Sequence, residues 1–446
     1  MMYSWRKGIL WQWLACVILF LLISPASAEE EMLPPPGKPL NLEQVLAIAL
    51  KIHPSLQSSQ AAIEASRARV EQALAAYYPQ INFNASYNAS TFNFVAIPGV
   101  SVRPLTYNWT FLDIFSVGPT LTQTIYDFGR TRNNAQINRE NSRASEQDLV
   151  TAKQTVVLNV KQAYLGRIQA QRIVVVAEDT VKQVQEHLDQ AKGFYQAGTR
   201  PKIDVTKAEV DLATAELALI QARNSLQVAR ATLNNAMGLR ESMIFPIEDT
   251  LEFQKKEITL QEILQTAYEQ RPEILQLKAR QLSQEATIKL AQSSYYPILS
   301  GNASYLWRRL HIDLDMTWDV IIGATLTVPI FSGFSSPNQV AEAQANLRNL
   351  KSQEESLRQN IRLEGEQAFL TLKALEEGIR VTEKALDQAQ ENFDLATGRY
   401  QVGVGSPLEI TDAEVSLANA RVNYIKALAA YKIAEASIEK AMGVFR

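Results

Sequence analysis

The stretch "YYPQINFNASY", Tyr77 to Tyr87, returns 218 residues later as "YYPILSGNASY", Tyr295 to Tyr305. Each copy meets a helix-ending proline, Pro79 or Pro297, and then changes to a period of two. Ile81, Phe83, Ala85, Tyr87 and Ala89 alternate with Asn82, Asn84, Ser86, Asn88 and Ser90. Ala303, Tyr305 and Trp307 stand against Asn302 and Ser304. Two further segments keep the same beat. Val117, Pro119, Leu121 and Ile125 face Gly118, Thr120, Thr122 and Thr124. Val320, Ile322, Ala324, Leu326, Val328 and Ile330 face Gly323, Thr325 and Thr327. The polar side is Asn, Ser and Thr, almost without charge. An apolar band backed by an uncharged polar face suits a membrane barrel with a wet lumen. It also suits a soluble antiparallel sheet half buried on a core. Four strands cannot close a barrel, for which about eight is the practical minimum. A membrane barrel therefore requires several chains. Trp109, Trp307 and Trp318, near strand ends, are candidate interfacial anchors.

The repeated phrase belongs to a larger duplication. "NLEQVLAIALKIHPSL" (Asn41 to Leu56) aligns with "TLQEILQTAYEQRPEI" (Thr259 to Ile274), each a short amphipathic helix broken by Pro54 or Pro272. "FYQAGTRPKIDVTKAEVDLATA" (Phe194 to Ala215) aligns with "RYQVGVGSPLEITDAEVSLANA" (Arg399 to Ala420), and both copies end in "AMG", at Gly238 and Gly443. Early segments are offset by 218 residues and late ones by 205. The difference falls between the paired strands, where a surface loop tolerates deletion. Such a period is far too long for a solenoid and indicates internal pseudosymmetry.

The sequence predicts a signal peptide over 1–28: Arg6 and Lys7, an apolar run from Ile9 to Ile23, then Ala26-Ser27-Ala28 before acidic residues. An uncleaved N-terminal anchor and a lipidated Cys16 are the alternatives. Cys16 is the single cysteine of the 446 residues, so an exported chain starting at Glu29 must be stable without disulfides. No later run is apolar enough for a spanning helix, so any membrane crossing must use strands. A net charge of −3 argues against nucleic acid as a partner.

The predicted elements fall into two repeats. Residues 29–258 hold opening helices, strands over 80–96 and 109–125, a long helix over 130–197 and a helix over 203–237. Residues 259–446 hold opening helices, strands over 298–308 and 317–330, a long helix over 338–402 and a helix over 408–442. The long helices would each reach about 100 Å. Val205, Ala208, Leu212, Ala215, Leu219, Ala222, Leu226, Ala229, Leu233 and Ala236 follow 3-4 spacing, as do Ile410, Ala413, Leu417, Ala420, Tyr424, Ala427, Tyr431, Ala434, Ile438 and Ala441. Large residues alternate with alanine, which admits a close neighbour. A second stripe runs beside each: Val210, Ala213, Leu217 and Ile220, and Val415, Ala418, Val422 and Ile425. The two stripes diverge by roughly 140–155°, the interior angle of a ring of about nine to fourteen helices. A solid bundle would merge them into one broad face.

With its duplicated order, proline-broken opening helices, "YYP" junctions and "RYQVGVGSPLEITDAEVSLANA" turn, the chain resembles the TolC-like outer-membrane efflux proteins. That resemblance implies a mainly α fold with a transmembrane β-barrel. Three internally duplicated protomers would form a twelve-stranded barrel in outer-membrane lipid. A long periplasmic α-helical barrel would continue it. It implies a homotrimeric exit duct of a Gram-negative-type cell, coupled to a periplasmic adaptor (membrane fusion) protein and an inner-membrane pump. It places Gly198, Thr199, Gly403, Val404 and Gly405 at helix-turn tips where the adaptor docks. It assigns Asp204, Tyr400, Glu409, Asp412 and Arg200 to the periplasmic gate, with Glu409 and Asp412 ringing the entrance. The arginine that closes the second turn in some relatives is replaced here by Gly405, while Arg200 holds the equivalent place in the first turn.

Nothing in the sequence points to catalysis, a cofactor or a metal. His53, His187 and His311 lie far apart with no second ligand at helical spacing, and no phosphate-binding or nucleophile-elbow motif is present. The competing function is a soluble periplasmic coiled-coil scaffold or adaptor. The cargo of a duct, small molecules or unfolded protein, is not written in the sequence.

Overall fold

The computed structural model describes residues 39–90, 112–240, 243–309, 315–402 and 404–444. The predicted signal peptide, Cys16, Trp109, His311 and Gly403 lie outside them. The elements run α1 (Leu42–Ile52), α2 (Pro54–Leu74), β1 (Gln80–Ser90), β2 (Leu112–Tyr126), α3 (Arg130–Gln196) and α4 (Lys202–Ala236). The same order then repeats as α5 (Leu260–Gln270), α6 (Pro272–Gln292), β3 (Ile298–Arg309), β4 (Thr317–Thr327), α7 (Ser335–Gln401) and α8 (Pro407–Met442). The expected strand ends at 96 and 109 lie outside the described residues, and two of the other boundaries differ from expectation by more than one residue. β4 stops at Thr327 instead of 330, because Pro329 has no N–H for the ladder. α7 starts at Ser335 instead of 338, because Pro337 sits in the first turn, where a missing N–H costs nothing.

Both opening helices begin with capping boxes. Asn41 and Gln44 exchange side-chain and backbone bonds, as do Thr259 and Glu262. Each stops one residue before its proline, since that residue is forced into extended backbone, at His53 and Arg271. α3 and α7 are 67 residues each and carry no interior proline beyond the first turn.

The helices form a strip one layer thick. In the half away from the sheet, α4 packs on α3, α3 on α8 and α8 on α7. In the half beside the sheet, α2 packs on α3, α3 on α6 and α6 on α7. Any level is therefore four helices wide. The largest core lies where the halves meet, around Val160, Tyr164, Ile168, Leu233, Leu251, Ile263, Leu372, Ile379 and Tyr431. A belt of extended chain after α4 binds this level together. Leu40 bridges Ile247, the Tyr164 hydroxyl lies 2.8 Å from the Glu248 carbonyl, and the Lys256 N–H donates to the Tyr431 hydroxyl at 3.1 Å. Lys161 and Lys256 both reach Glu439, at 2.5 and 3.2 Å.

The sheet is a four-stranded antiparallel meander, β1-β2-β3-β4. It contributes no residue to the hydrophobic core. Every described side chain of β1 is exposed, and Ile81, Phe83, Ile322 and Leu326 are 61–81% open. Aromatic residues cluster at both ends. Tyr126, Phe128 and Tyr296 stack beside the helices, while Tyr305, Trp307 and Trp318 gather at the far end. A soluble half-buried sheet would bury one face; this one buries neither.

The matching "AMG" ends explain the duplication's tightest contact. Gly238 and Gly443 take φ of 76° and 77°, ending α4 and α8. A Cβ on Gly238 would sit 2.9 Å from the His53 Cα, and one on Gly443 3.0 Å from the Arg271 Cα. Each helix end thus seats against the proline break of its own repeat. Gly238→Ala and Gly443→Ala should each lower the unfolding temperature in detergent, with roughly 1–2 kcal/mol lost to the left-handed backbone alone and more to the clash. Thermal melts followed by circular dichroism check this.

Candidate functional site

At the end away from the sheet the two hairpins, α3–α4 and α7–α8, bring their turns together. The first turn is a Schellman motif. Gly198, at φ 73°, lets its N–H reach the Tyr195 carbonyl and the Thr199 N–H reach Phe194 at 3.0 Å. The second turn is closed by Val404 and Gly405, whose N–H groups donate to the Arg399 carbonyl at 3.1 and 2.9 Å. Gly405 has ordinary backbone angles, but a Cβ there would lie 2.8 Å from the Tyr400 N, so the turn can close only on glycine. Ser406 then caps α8 by accepting from the Glu409 N–H at 3.3 Å, with Pro407 at the first helical position.

Arg200 joins the turns. Its Nη2 donates to the Gly405 carbonyl at 2.9 Å, and its guanidinium lies 5.5 Å from the Tyr400 ring centre. Tyr400 is fully buried, edge-on to His187 at 4.9 Å and to Phe194 at 5.6 Å. Burial raises the Tyr400 hydroxyl above its usual range, against the lowering field of Arg200. Asp204 comes to the same cluster, but Asp204 Oδ2 and the Tyr400 hydroxyl are both buried without a hydrogen-bond partner. They share a pocket and are not tied to each other.

The two acidic residues of the second turn differ. Glu409 pairs with Arg399, Nε to Oε2 at 3.3 Å, both half exposed. Asp412 is exposed, and no ion pair among the described residues reaches it. A pair not foreseen lies one turn further along. The Thr411 hydroxyl is 3.0 Å from Asp211 Oδ2 on α4, and Glu414 is buried at 6% exposure. Burial pushes the Glu414 carboxyl up to about 7, and Asp211 adds to the push. Burial also lowers His187, against the fields of Asp211 and Asp204. Among the described residues no three His, Cys, Asp or Glu side chains converge as a metal site.

This tip, on a one-layer helical strip continued by a sheet without a core, matches a known family. The sequence profile described as "Outer membrane efflux protein" matches residues 45–239 and 263–444. The chain belongs to the outer membrane efflux protein family. Among its relatives, the outer membrane protein TolC of Escherichia coli K12 is 23% identical over 425 residues, covering 90% of this chain and 82% of TolC. The cation efflux system protein CusC of the same organism is 24% identical over 353 residues, covering 74% and 73%. A membrane protein from Pseudomonas aeruginosa superposes with a TM-score of 0.76 at 21% identity, covering 90% of each chain.

As a family member, the chain is an outer-membrane efflux channel with a periplasmic extension. Of the residues the family resemblance singled out, the structure gathers Gly198, Thr199, Arg200, Asp204, Tyr400, Val404, Gly405, Glu409 and Asp412 at one end of the strip. Gly403 is outside the described residues. Arg399, Asp211, His187 and Glu414 were missed. Arg399 stands ten residues from Glu409, across a turn, beyond any helical spacing rule. Glu414 reads as one more polar residue in "TDAEVSLA" unless one notices that it falls beside the buried stripe.

Arg200→Ala should free the turns from one another. Amide hydrogen exchange across 399–406 is expected to quicken by about tenfold, one lost hydrogen bond to a carbonyl, while exchange at the belt stays unchanged. Equal quickening at both places would show general destabilisation instead.

Proposed function

We propose that the chain, after removal of residues 1–28, works as a homotrimeric passive duct. Its two repeats, 29–258 and 259–446, each supply half of a protomer. The observation that carries this is the open edge. The pseudo-equivalent second stripes have different fates. On α8, Val415 near the tip is 55% exposed, but Ala418 and Val422 are partly covered by the strip and Ile425 is buried; on α4, Val210, Leu217 and Ile220 are 55–64% exposed along the stripe. At the opposite edge α7 leaves Leu363, Leu370, Val381 and Leu395 bare. A helix with an unpaired seam needs a neighbour. The sheet likewise ends in β1 and β4, and edge strands in lipid must be paired. Three copies joined edge to edge give twelve helices and twelve strands, within the ring size set by the seam angle.

The tips carry exposed Tyr195, Ile203, Val402, Val404 and Leu408, an apolar rim suited to a periplasmic adaptor, which would link the duct to an inner-membrane pump. Arg200 serves as the latch, reaching from the first turn to the second. Asp412, and Glu409 so far as Arg399 leaves it free, would ring the entrance and favour cations there. CusC is named for cation efflux and TolC for no cargo, so relatedness at this level leaves the cargo open.

Two experiments test this. Leu217→Asp with Ile220→Asp should abolish the trimer, read by light scattering in detergent; a trimer that persists would sink the edge-to-edge assembly. Asp412→Asn should weaken block by multivalent cations in planar bilayers more than Glu409→Gln does, because Glu409 is already paired. Unchanged block in the double substitution would remove both from the entrance.

A further inference from the structure

Glu414 is a carboxyl group on a buried flank of α8, whereas its counterpart in the first repeat, Glu209, is exposed. Its neighbours on α8, Ile410, Ala413 and Leu417, are buried in the seam with α7. Glu414 belongs to the other flank. Thr411, one turn before it on the same side, touches Asp211 of α4. The α3–α4 hairpin therefore brings a second acid, Asp211, to the flank of α8 that carries Glu414. Among the described residues Asp211 is the charged group that acts on it, and no ion pair reaches it. The surrounding groups are engaged elsewhere. On α3, His187 is pressed toward its neutral form and packs against Tyr400 of α7. On α4, Lys207 and Asp204 act on His187. On α7, Arg399 pairs with Glu409.

The Thr411 hydroxyl joins the hairpins at this level, lying 3.0 Å from Asp211 Oδ2 on α4 and 3.1 Å from the Pro407 carbonyl of its own helix.

We propose that Glu414, buried where the Asp211 flank of α4 meets α8, is a proton-held clasp between the two hairpins, closing the periplasmic end while Glu414 carries a proton and parting when it is ionised. Two bare carboxylates in a seam shielded from water repel each other and gain hydration by separating. The direction with pH follows from linkage. Closed, the Glu414 carboxyl sits at about 7; parted, in water, it returns toward its ordinary 4.5. Below 4.5 both arrangements hold the proton and the clasp favours closure in full. As pH rises from 4.5 to 7 the closed form is progressively penalised, and above 7 the penalty is complete. Across that window the parted form gains about two orders of magnitude per chain.

The clasp rests on the trimeric-duct reading, and one experiment separates them. The full-length protein is inserted in planar bilayers and its conductance followed from about pH 5 to about pH 8. Wild-type conductance should rise with pH through the window between 4.5 and 7. Glu414→Gln, fixed in the neutral form, should stay at the acid level throughout, and Asp211→Asn should move the midpoint down. A Glu414→Gln channel that keeps the wild-type rise would overturn the clasp. Should that variant not assemble, an unshifted midpoint in Asp211→Asn overturns it. A flat wild-type profile defeats the clasp alone, whereas a protein that makes no channel at any pH defeats the duct.

Discussion

A helix with apolar stripes on two flanks has to be touched on both. In a strip of four, the inner members satisfy this and the outer two cannot. That mismatch governs the rest of the structure. It leaves α4 and α7 with bare seams and prevents the helices from collapsing into a solid bundle, because the stripes lie too far apart to share one partner. It also fixes the sheet, which must continue the strip with both edges unpaired. In water such a sheet would be a template for aggregation. In a bilayer, joined to copies of itself as proposed, it would become a wall with no edge.

The duplication supplies the two kinds of helix such a wall needs. One gene segment, written twice, yields a long helix and a shorter one in each copy. The copies then interlock, with α3 meeting α8 and α6 rather than only its own repeat. The extended belt lies at the level where the helices change partners. Where α2 and α6 hand over to α4 and α8, the strip changes partners, and polar backbone would be stranded without Leu40, Glu248 and Lys256 to receive it.

Much of the architecture could be read from the residues, since periodicity and proline record local geometry directly. The "YYP" junctions, the 3-4 stripes and the twin "AMG" ends each report on backbone within a few turns. Local rules also located the turns. They did not find the Arg399–Glu409 pair, the Asp211–Thr411 contact or the burial of Glu414, because those depend on which flank a distant hairpin covers. The belt was equally hidden. Residues 239–258 have neither helical nor strand period, and Lys161 meets Glu439 across 278 positions of chain. Sequence spacing names the face of a helix but not the neighbour that comes to occupy it.

The unbroken length of α3 gives the molecule leverage. Tyr164 is anchored at the belt and would be the fulcrum of any tilt, and Gln196 lies 32 residues beyond it, an arm of about 48 Å along the helix axis. With no proline or bulge to absorb bending, a tilt of only ~5° at the fulcrum swings the far end by ~4 Å. A partner gripping the middle of such an arm could move the end of it without ever touching the end.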